Sequence, residues 1–236
     1  MGGIRFFVIL VETQLLSNGV CFSINFFTPA ASQALLMQQP LVQLQAEAMI
    51  PTPWGTFNML AFATTNSDWM PHIALVHTDF HKEQPTLVRL HSECMTGDLF
   101  ASRRCDCGEQ LHYSLQQIAE AGGILLYLRQ EGRGIGIINK LKAYQLQDQG
   151  LNTIDANIHL GLEVDARQYD IAADMLHQIG VTQIHLLTNN PEKIAALERT
   201  DFEILSRVPI IIPPHAENAD YLKTKQFKMG HLFDLF

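Results

Sequence analysis

The sequence has few cysteines and lacks any apolar run long enough to form a transmembrane helix. It has 236 residues, of which four are cysteine. No stretch reaches the roughly 20 apolar residues that a membrane-spanning helix needs. Basic residues are also in the minority, with 16 Lys and Arg against 24 Asp and Glu and a formal net charge of −8. That charge argues against a nucleic-acid-binding protein, which is usually basic. We therefore predict no membrane and no nucleic acid as a partner.

What is present is the composition of a folded globular protein, with 47% hydrophobic and 17% charged residues. Such values fit one core or two closely joined lobes. The start of the chain differs in character, and its apolar run Phe6–Val11 ends at Glu12, which is early for a secretory signal. Met37 and Met49 are possible later starts. We predict that residues 1–48 are a poorly structured N-terminal extension and that residues 49–236 form the organised domain.

Short apolar runs that alternate with helical patterns predict an α/β fold. The predicted strands are Ile73–Val76, Leu87–Leu90, Ile124–Leu128, Ile184–Leu187 and Ile204–Ile212.

The helices are predicted from apolar spacing and from residues that begin or end a helix. One helix contains Leu111 and Leu115 and is closed by Gly122. A second has Ile137, Leu141 and Tyr144 on one side and ends at Gly150. Three more helices are predicted over Ile171–Ile179, from a cap at Asn190-Pro191, and over Tyr221–Met229.

Three of the four cysteines are clustered, at Cys94, Cys105 and Cys107. Clustering of this kind in a cytoplasmic protein indicates metal binding rather than a disulfide framework. A structural zinc site has four protein ligands, whereas a catalytic one has three and keeps a position for water. The cysteine spacing alone does not decide between a structural and a catalytic zinc site. The candidate fourth ligands of a closed site are His91, His112 and His159.

A Gly-rich loop, Arg129–Gly136, lies between a predicted strand and a predicted helix. Glycines allow close approach of a ligand to the backbone, and a helix N-terminus with two arginines suits phosphate. The glycines are two apart, unlike those of the Walker A and dinucleotide-binding motifs. The loop predicts a phosphate site, and the alternative is an ordinary tight turn.

Two further segments are candidates for an anion or nucleotide site. Asp165 and Gln168 are spaced as a capping box, which would place Arg167 in the first helical turn, where a cation opposes the helix dipole. A bound anion would explain that arginine, and so would simple tolerance at the surface. Thr188 and Lys193 flank the end of a predicted strand, where ligands of α/β sheets gather. Their alternative interpretation is a turn threonine and a solvated lysine.

Seven segments occur in an order that resembles the GTP cyclohydrolase II family of riboflavin biosynthesis. They are "RLHSEC", "GD", "RCDCG", "RQEGRGIG", "KLKAYQLQDQG", "LLTNNPEK" and "KMGH". The resemblance covers roughly residues 50–231. It implies a mixed sheet flanked by helices, a homodimer, and hydrolysis of GTP to 2,5-diamino-6-(5-phosphoribosylamino)pyrimidin-4(3H)-one, formate and pyrophosphate.

The resemblance also implies the roles of particular residues. Cys94, Cys105 and Cys107 match the ligands of one Zn²⁺ per subunit, and Mg²⁺ is expected with the triphosphate. Asp165 matches the proton acceptor, Arg167 the proposed nucleophile at the α-phosphorus, and Tyr144 an active-site tyrosine. The residues that match GTP contacts are Arg89, Leu90, His91, Ser92, Glu93, Gln110, Glu131, Gly132, Arg133, Thr153, Thr188 and Lys193.

These features together shift the interpretation of the cysteine cluster toward an open zinc site with water as the fourth ligand. About 50 leading residues are too few for the second enzyme domain of bifunctional relatives, so a monofunctional chain is expected. Two alternatives remain at this point. One is a related ring-opening enzyme with a different product, and the other is a non-catalytic GTP-binding regulatory module.

Overall fold

The computed structural model describes residues 10–16, 19–25 and 40–236. The chain divides into two units, residues 1–40 and 41–236. In the first unit, β1 (Leu10–Leu16) pairs antiparallel with β2 (Gly19–Asn25). Much of the predicted extension lies outside the described residues, and the division at residue 48 stays a prediction. The first strand of the second unit already begins at Gln43.

The second unit is built on a seven-stranded mixed sheet. In spatial order its strands are β3 (Gln43–Thr52), β4 (Gly55–Ala63), β5 (His72–His77), β7 (Ile124–Leu128), β6 (Thr86–Ser92), β8 (Gln183–Leu187) and β9 (Glu203–Val208). The pairs from β3 to β7 are antiparallel, and those from β7 to β9 are parallel. The parallel half therefore directs the carboxyl ends of four strands to one edge.

Helices connect the strands of the parallel half. They are α1 (Met95–Asp98), α2 (Cys107–Ala121), α3 (Gly136–Asp148), α4 (Thr153–His159), α5 (Asp170–Ile179), α6 (Pro191–Glu198) and α7 (Ala219–Lys228). A short 3₁₀ turn, Glu131–Gly134, precedes α3. The predicted α/β class is confirmed.

Both faces of the sheet are covered, because strand residues alternate between two apolar clusters. Leu125 packs with Leu115 and Ile118 of α2 on one face. Its neighbour Leu126 belongs to the cluster on the other face, which includes Leu176 of α5. This period of two is what a strand buried on both faces requires.

The residues that end α2 and begin α6 are those that the sequence predicts. Gly122 ends α2 in the left-handed conformation, with φ 66°. A Cβ atom there would lie 2.7 Å from the Asp79 carbonyl oxygen, so the close approach also requires glycine. The Asn190 side chain caps α6 by accepting the N–H of Glu192 at 2.9 Å.

Two expectations about elements differ from the structure. The last strand ends at Val208 rather than Ile212, because its partner β8 ends at Leu187, which is paired with Val208. On α3 the expected apolar side is not the buried one. Lys140 and Ala143 are buried, whereas Leu141 is 50% exposed. In the part of the chain that the structure describes, no helix is long and apolar enough to cross a membrane.

Candidate active site

A cavity lies at the carboxyl ends of the parallel strands β6, β7 and β8. Its wall includes Cys94 just after β6, Arg133 in the loop after β7, and Thr188 just after β8. This is the edge at which α/β sheets bind their ligands. The sequence predicts that these three segments follow separate strands, and the fold brings them together at one cavity.

The three cysteines form one cluster at the side of this cavity. The Sγ atoms of Cys94, Cys105 and Cys107 all lie within 4.8 Å of one another. Hydrogen bonds from Cys105 and Cys107 hold the pKa of Cys94 far below its ordinary value. Three sulfur donors at this spacing suit a zinc ion, which binds cysteine as the thiolate.

The surroundings of the cluster fit a metal with thiolate ligands. The Lys140 ammonium lies 3.1 Å from Cys94 Sγ and 2.8 Å from Glu131 Oε1, so it offsets negative charge on the sulfur. Gly97 leaves the space that the sulfurs need. A Cβ atom there would lie 3.0 Å from Cys105 Sγ and 3.2 Å from Cys94 Sγ.

None of the three candidate histidines completes the cysteine cluster. The described residues contain no His, Asp or Glu whose ligand atom joins the three sulfurs within that distance. His91 Nε2 instead contacts Asp98 Oδ1 at 3.1 Å, and His112 lies against Trp54 with 5.5 Å between ring centroids. His159 is in the last turn of α4. The geometry therefore favours a three-cysteine set over a closed four-ligand site.

Asp98 holds the strand end beside the cluster in a fixed arrangement. Its Oδ2 accepts hydrogen bonds from the Cys94 backbone N–H at 2.9 Å and from the Tyr127 hydroxyl at 2.8 Å. Burial lowers the pKa of His91, which contacts the same carboxylate. Glu93, which directly precedes Cys94, pairs with Arg129 at 2.7 Å, and burial raises the Glu93 pKa.

The Gly-rich loop adopts a run of left-handed backbone. Gly132, Gly134 and Gly136 have φ values of 62°, 87° and 79°, and Arg133 itself has φ 61°. Positive φ is uncommon for a residue other than glycine, and such strain gathers at functional sites. Both terminal guanidinium nitrogens of Arg133 are buried without a hydrogen-bond partner, and Arg133 lines the cavity. A buried charged donor that lacks a partner is suited to an anionic ligand.

The segment that carries Asp165 and Arg167 packs directly on this loop. The Ala166 N–H donates to the Arg133 carbonyl at 3.0 Å. The predicted capping box is wrong, because α5 begins at Asp170 and Arg167 precedes it rather than lying in its first turn. Asp165 instead binds its neighbour, accepting the Arg167 Nε–H at 2.8 Å and contacting Nη2.

This ion pair fixes the protonation of both groups. Burial opposes charge on Arg167, yet the hydrogen bond to Asp165 raises the Arg167 pKa above its ordinary value. Burial would raise the Asp165 pKa, but the hydrogen bond from Arg167 outweighs it and lowers that pKa. Arg167 is thus a guanidinium at the cavity wall with a carboxylate positioned against it.

Lys193 is buried at the strand edge without a carboxylate hydrogen bond. Its Nζ donates to the Leu90 carbonyl at 2.7 Å. Burial, reinforced by the positive charges of Arg89 and Arg167, lowers its pKa far below the ordinary value. The solvated-lysine interpretation is therefore wrong. Thr188 is likewise buried and accepts the Asn190 N–H at 3.1 Å. An anionic ligand would stabilise the charged form of Lys193.

Tyr144 lines the cavity from α3, next to the cysteines. The guanidinium carbon of Arg104 lies 4.4 Å from its ring centroid. Burial raises the pKa of the Tyr144 hydroxyl, so that group keeps its proton at neutral pH.

Most of the predicted site residues meet at this cavity. Those that line it are Arg89, His91, Ser92, Glu93, Cys94, Cys105, Cys107, Gln110, Gly132, Arg133, Tyr144, Thr153, Arg167, Thr188 and Lys193. Three do not line it. Leu90 is fully buried and offers only its carbonyl to Lys193. Glu131 contacts Lys140 and the Met95 N–H, and Asp165 lies behind Arg167.

Sequence reasoning missed the contribution of the last helix. Tyr221, Lys225 and His231, from α7 and the segment after it, line the cavity as well. Lys225 is buried and pairs with Asp106 at 2.7 Å. The run "KTKQFK" has the composition of a solvated helix face, so its local pattern gives no sign that one lysine is buried. His231 belongs to the segment "KMGH", which carries the family resemblance, but the sequence pattern indicates no role for this histidine.

The fold and the site together are those of an α/β protein with a candidate metal-binding cluster beside a pocket suited to an anionic ligand. Three cysteine side chains lie beside a pocket walled by buried basic side chains, at the ligand-binding edge of an α/β sheet. A sequence model of the GTP cyclohydrolase II family matches residues 43–209, and the chain belongs to that family, whose members are zinc-dependent hydrolases of GTP.

Curated relatives agree with this assignment. "Riboflavin biosynthesis protein RibBA" of Bacillus cereus is 50% identical over 198 residues, which cover 84% of this chain and 50% of the relative. Proteins of the same name from Bacillus cytotoxicus and Bacillus mycoides match to the same extent. The chain thus spans about half the length of these relatives. A solved structure of RibBX, a two-domain 3,4-dihydroxy-2-butanone 4-phosphate synthase from A. baumannii, aligns with 82% of this chain and 54% of that chain, at 18% identity and a TM-score of 0.44.

Proposed function

We propose that this chain is a zinc-dependent GTP cyclohydrolase II that carries out the first step of riboflavin biosynthesis. GTP would yield 2,5-diamino-6-(5-phosphoribosylamino)pyrimidin-4(3H)-one, formate and pyrophosphate. The observation that carries the proposal is the meeting of the three-cysteine cluster with a pocket whose buried cations include Arg133 and Lys193. The cysteine cluster suits hydrolysis at carbon, and the pocket of buried cations suits a triphosphate.

Cys94, Cys105 and Cys107 would hold the zinc. When bound, zinc supplies a Lewis acid that lowers the pKa of water toward neutrality, which gives a nucleophile for C8 of the purine. The protein would supply three cysteine sulfurs, with the Lys140 ammonium offsetting negative charge on Cys94. The absence of a fourth donor among the described His, Asp and Glu residues is consistent with the predicted water ligand.

The triphosphate would lie against the Gly-rich loop and the buried cations. Arg133 has both terminal guanidinium nitrogens free for phosphate oxygens, and Lys193 would gain a counter-charge. Preorganised cations of this kind stabilise the negative charge that develops as pyrophosphate leaves. Mg²⁺ is proposed to accompany the triphosphate. The proposed GTP contacts are the twelve residues named from the resemblance, of which Leu90 and Glu131 would act without lining the cavity.

Arg167 and Asp165 would act together at the α-phosphorus. A guanidinium is a poor nucleophile while it is protonated, and Arg167 is held protonated by its pair. Asp165 contacts both Nε and Nη2, so it is placed to take the proton if Arg167 attacks. An electrostatic role for Arg167 needs no proton transfer. The protonated hydroxyl of Tyr144 would serve as a hydrogen-bond donor.

We further propose a homodimer and a cytoplasmic location. The homodimer is supported by an apolar surface on α3 and α4, where Ile138 is 69%, Leu141 50% and Ile158 61% exposed. We refer to these three side chains as the α3/α4 apolar surface. Large contiguous apolar patches mark protein interfaces, and we propose that these three side chains belong to one such patch.

The test is incubation of the zinc-loaded chain with GTP and Mg²⁺, with formate and pyrophosphate measured separately. Equal amounts of both are expected. Formate without pyrophosphate would indicate a related enzyme with a different product, and GTP binding without either would indicate a regulatory module. A phosphoguanidino adduct trapped in a single turnover would establish attack by Arg167. Single turnovers that repeatedly release pyrophosphate with no adduct would favour the electrostatic role.

A further inference from the structure

The last helix is connected to the cavity through a chain of buried polar contacts. Lys225 Nζ donates to Asp106 Oδ1 at 2.7 Å, and Asp106 Oδ2 accepts the Gln110 side-chain N–H at 2.5 Å. Gln110 Oε1 in turn accepts from Arg89 Nη2 at 2.8 Å. Arg89 is anchored by a hydrogen bond to the Leu187 carbonyl at 3.1 Å. Lys225, Asp106 and Arg89 are 9%, 3% and 5% exposed, so water competes little with these contacts.

The contacts determine which way the Gln110 amide faces. Arg89 can only donate and an ionised Asp106 can only accept, so the amide oxygen must face Arg89 and the amide nitrogen must face Asp106. The remaining N–H and the remaining lone pair of Gln110 then have fixed positions. Gln110 lines the cavity, so fixing the orientation of its amide fixes which groups it can offer to a ligand there.

Lys225 is the group that holds Asp106 in this arrangement. Asp106 lies between Cys105 and Cys107 in the sequence, its carboxylate is buried, and Lys225 is the ammonium that pairs with it. A buried carboxylate that loses its partner is strongly disfavoured and must move or change its contacts. Either change would release the Gln110 amide to rotate.

We propose that Lys225 is a positioning residue for GTP binding, which acts through Asp106 to orient Gln110 and Arg89. The inference rests on the proposed function, because it takes GTP as the ligand of the cavity. Lys225 lies beyond residues 43–209, which the family model matches, so the inference gives the C-terminal helix a part in binding that the match does not cover.

The experiment is a double-mutant cycle on the affinity for guanosine 5′-[α,β-methylene]triphosphate, measured by calorimetry on the zinc-loaded full chain. Lys225→Met should weaken binding by about 10- to 100-fold, as removal of an outer partner of a binding residue commonly does. Gln110→Ala should weaken it as well. If Lys225 acts through Gln110, the double variant binds no more weakly than the weaker of the two single variants.

Lys228→Met is the matched control, because Lys228 is on the same helix and is exposed. It should keep the wild-type affinity. Zinc content and melting temperature are measured for every variant, so that a loss of folding is separated from a loss of positioning. If Lys225→Met does not fold, Lys225→Gln replaces it, since glutamine keeps an N–H donor without the charge.

Two results would overturn the inference. One is wild-type affinity in a Lys225 variant, and the other is an effect that multiplies in full with that of Gln110→Ala. Formate release by the wild-type chain is measured in parallel. An absence of formate release would count against the proposed function. The double-mutant cycle measures binding alone, so it tests the role of Lys225 separately.

Discussion

At the scale of the residue, the site is governed by buried positive charge. Lys193 donates only to a backbone carbonyl, Arg133 has buried nitrogens without a partner, and Arg167 is paired with a single carboxylate. Buried cations are costly unless they are compensated, and a bound polyanion would supply that compensation. That requirement, more than the shape of the cavity, is the reason for proposing a triphosphate as the ligand of this pocket.

His231 gives a prediction about the pH dependence of stability. Burial and the nearby charges of Lys225 and Arg167 lower its pKa from 6.5 to about 3. Between these values the unfolded chain binds a proton that the folded chain does not. Stability should therefore fall as the pH falls from about 6.5 toward 3. His231→Gln should lose less stability than wild type between pH 7 and pH 5, by at most about 2 kcal/mol.

Urea unfolding at the two pH values measures this difference. The exposed His81 provides a control, and His81→Gln should lose as much stability as wild type over the same interval. Equal losses in wild type and His231→Gln would show that His231 is not the group responsible.

At the scale of the element, the Gly-rich loop and the Asp165–Arg167 segment behave as one unit. Gly134 has φ 87°, and a Cβ atom there would lie 3.0 Å from the Ala166 carbonyl oxygen. The loop can approach this segment only because it carries glycine at that position. The conformation of the loop and the placement of Arg167 are thereby coupled.

Gly134→Ala should therefore reduce activity as well as stability. The left-handed conformation alone should cost about 1 kcal/mol. Displacement of Ala166 should also move Arg167 and lower the rate of pyrophosphate release by about 10- to 100-fold. The matched control is Gly161→Ala, at φ 69° with no atom within 4 Å of the added Cβ. It should lose similar stability and keep its activity, and equal losses of activity in both variants would contradict the coupling.

The sequence predicted those elements that short-range signals determine. Strands such as Ile124–Leu128 and the Asn190 cap depend on a few neighbouring residues, and they are confirmed. The capping box at Asp165 is wrong because the helix begins only at Asp170, and the Asp165 carboxylate binds Arg167 instead, accepting its backbone N–H at 3.2 Å and forming a charge-assisted pair with its guanidinium.

The site was predictable where a motif carries its own chemistry, as with Cys94, Cys105 and Cys107. Lys225 was not predictable from local pattern, because its partner Asp106 is 119 residues away in the sequence. The burial of a single lysine in a charged helix depends on tertiary packing, which spacing and composition do not encode.

At the scale of the whole molecule, the chain spans about half the length of its RibBA relatives, and the three-cysteine cluster and the cavity beside it lie within residues 41–236. The α3/α4 apolar surface is exposed in this unit, as are other large apolar side chains such as Trp69 and Phe100. It is the surface through which the proposed homodimer would form.

Leu141→Glu should shift the chain from dimer to monomer, because a carboxylate would be buried in an apolar interface. Light scattering after size-exclusion chromatography measures the mass. Leu205→Glu is the control, since Leu205 is 41% exposed on β9 rather than on α3 or α4. A dimer that tolerates Leu141→Glu would show that another surface forms the interface.

The central claim is that the three cysteines form a zinc site on which ring opening depends. The direct measurement is formate release from GTP as Zn²⁺ is added to the metal-free chain. Release should rise to a plateau near one zinc per chain, and Cys94→Ser should lose both tight zinc binding and formate. Formate release at the full rate without zinc, or from a zinc-loaded Cys94→Ser chain, would contradict this account.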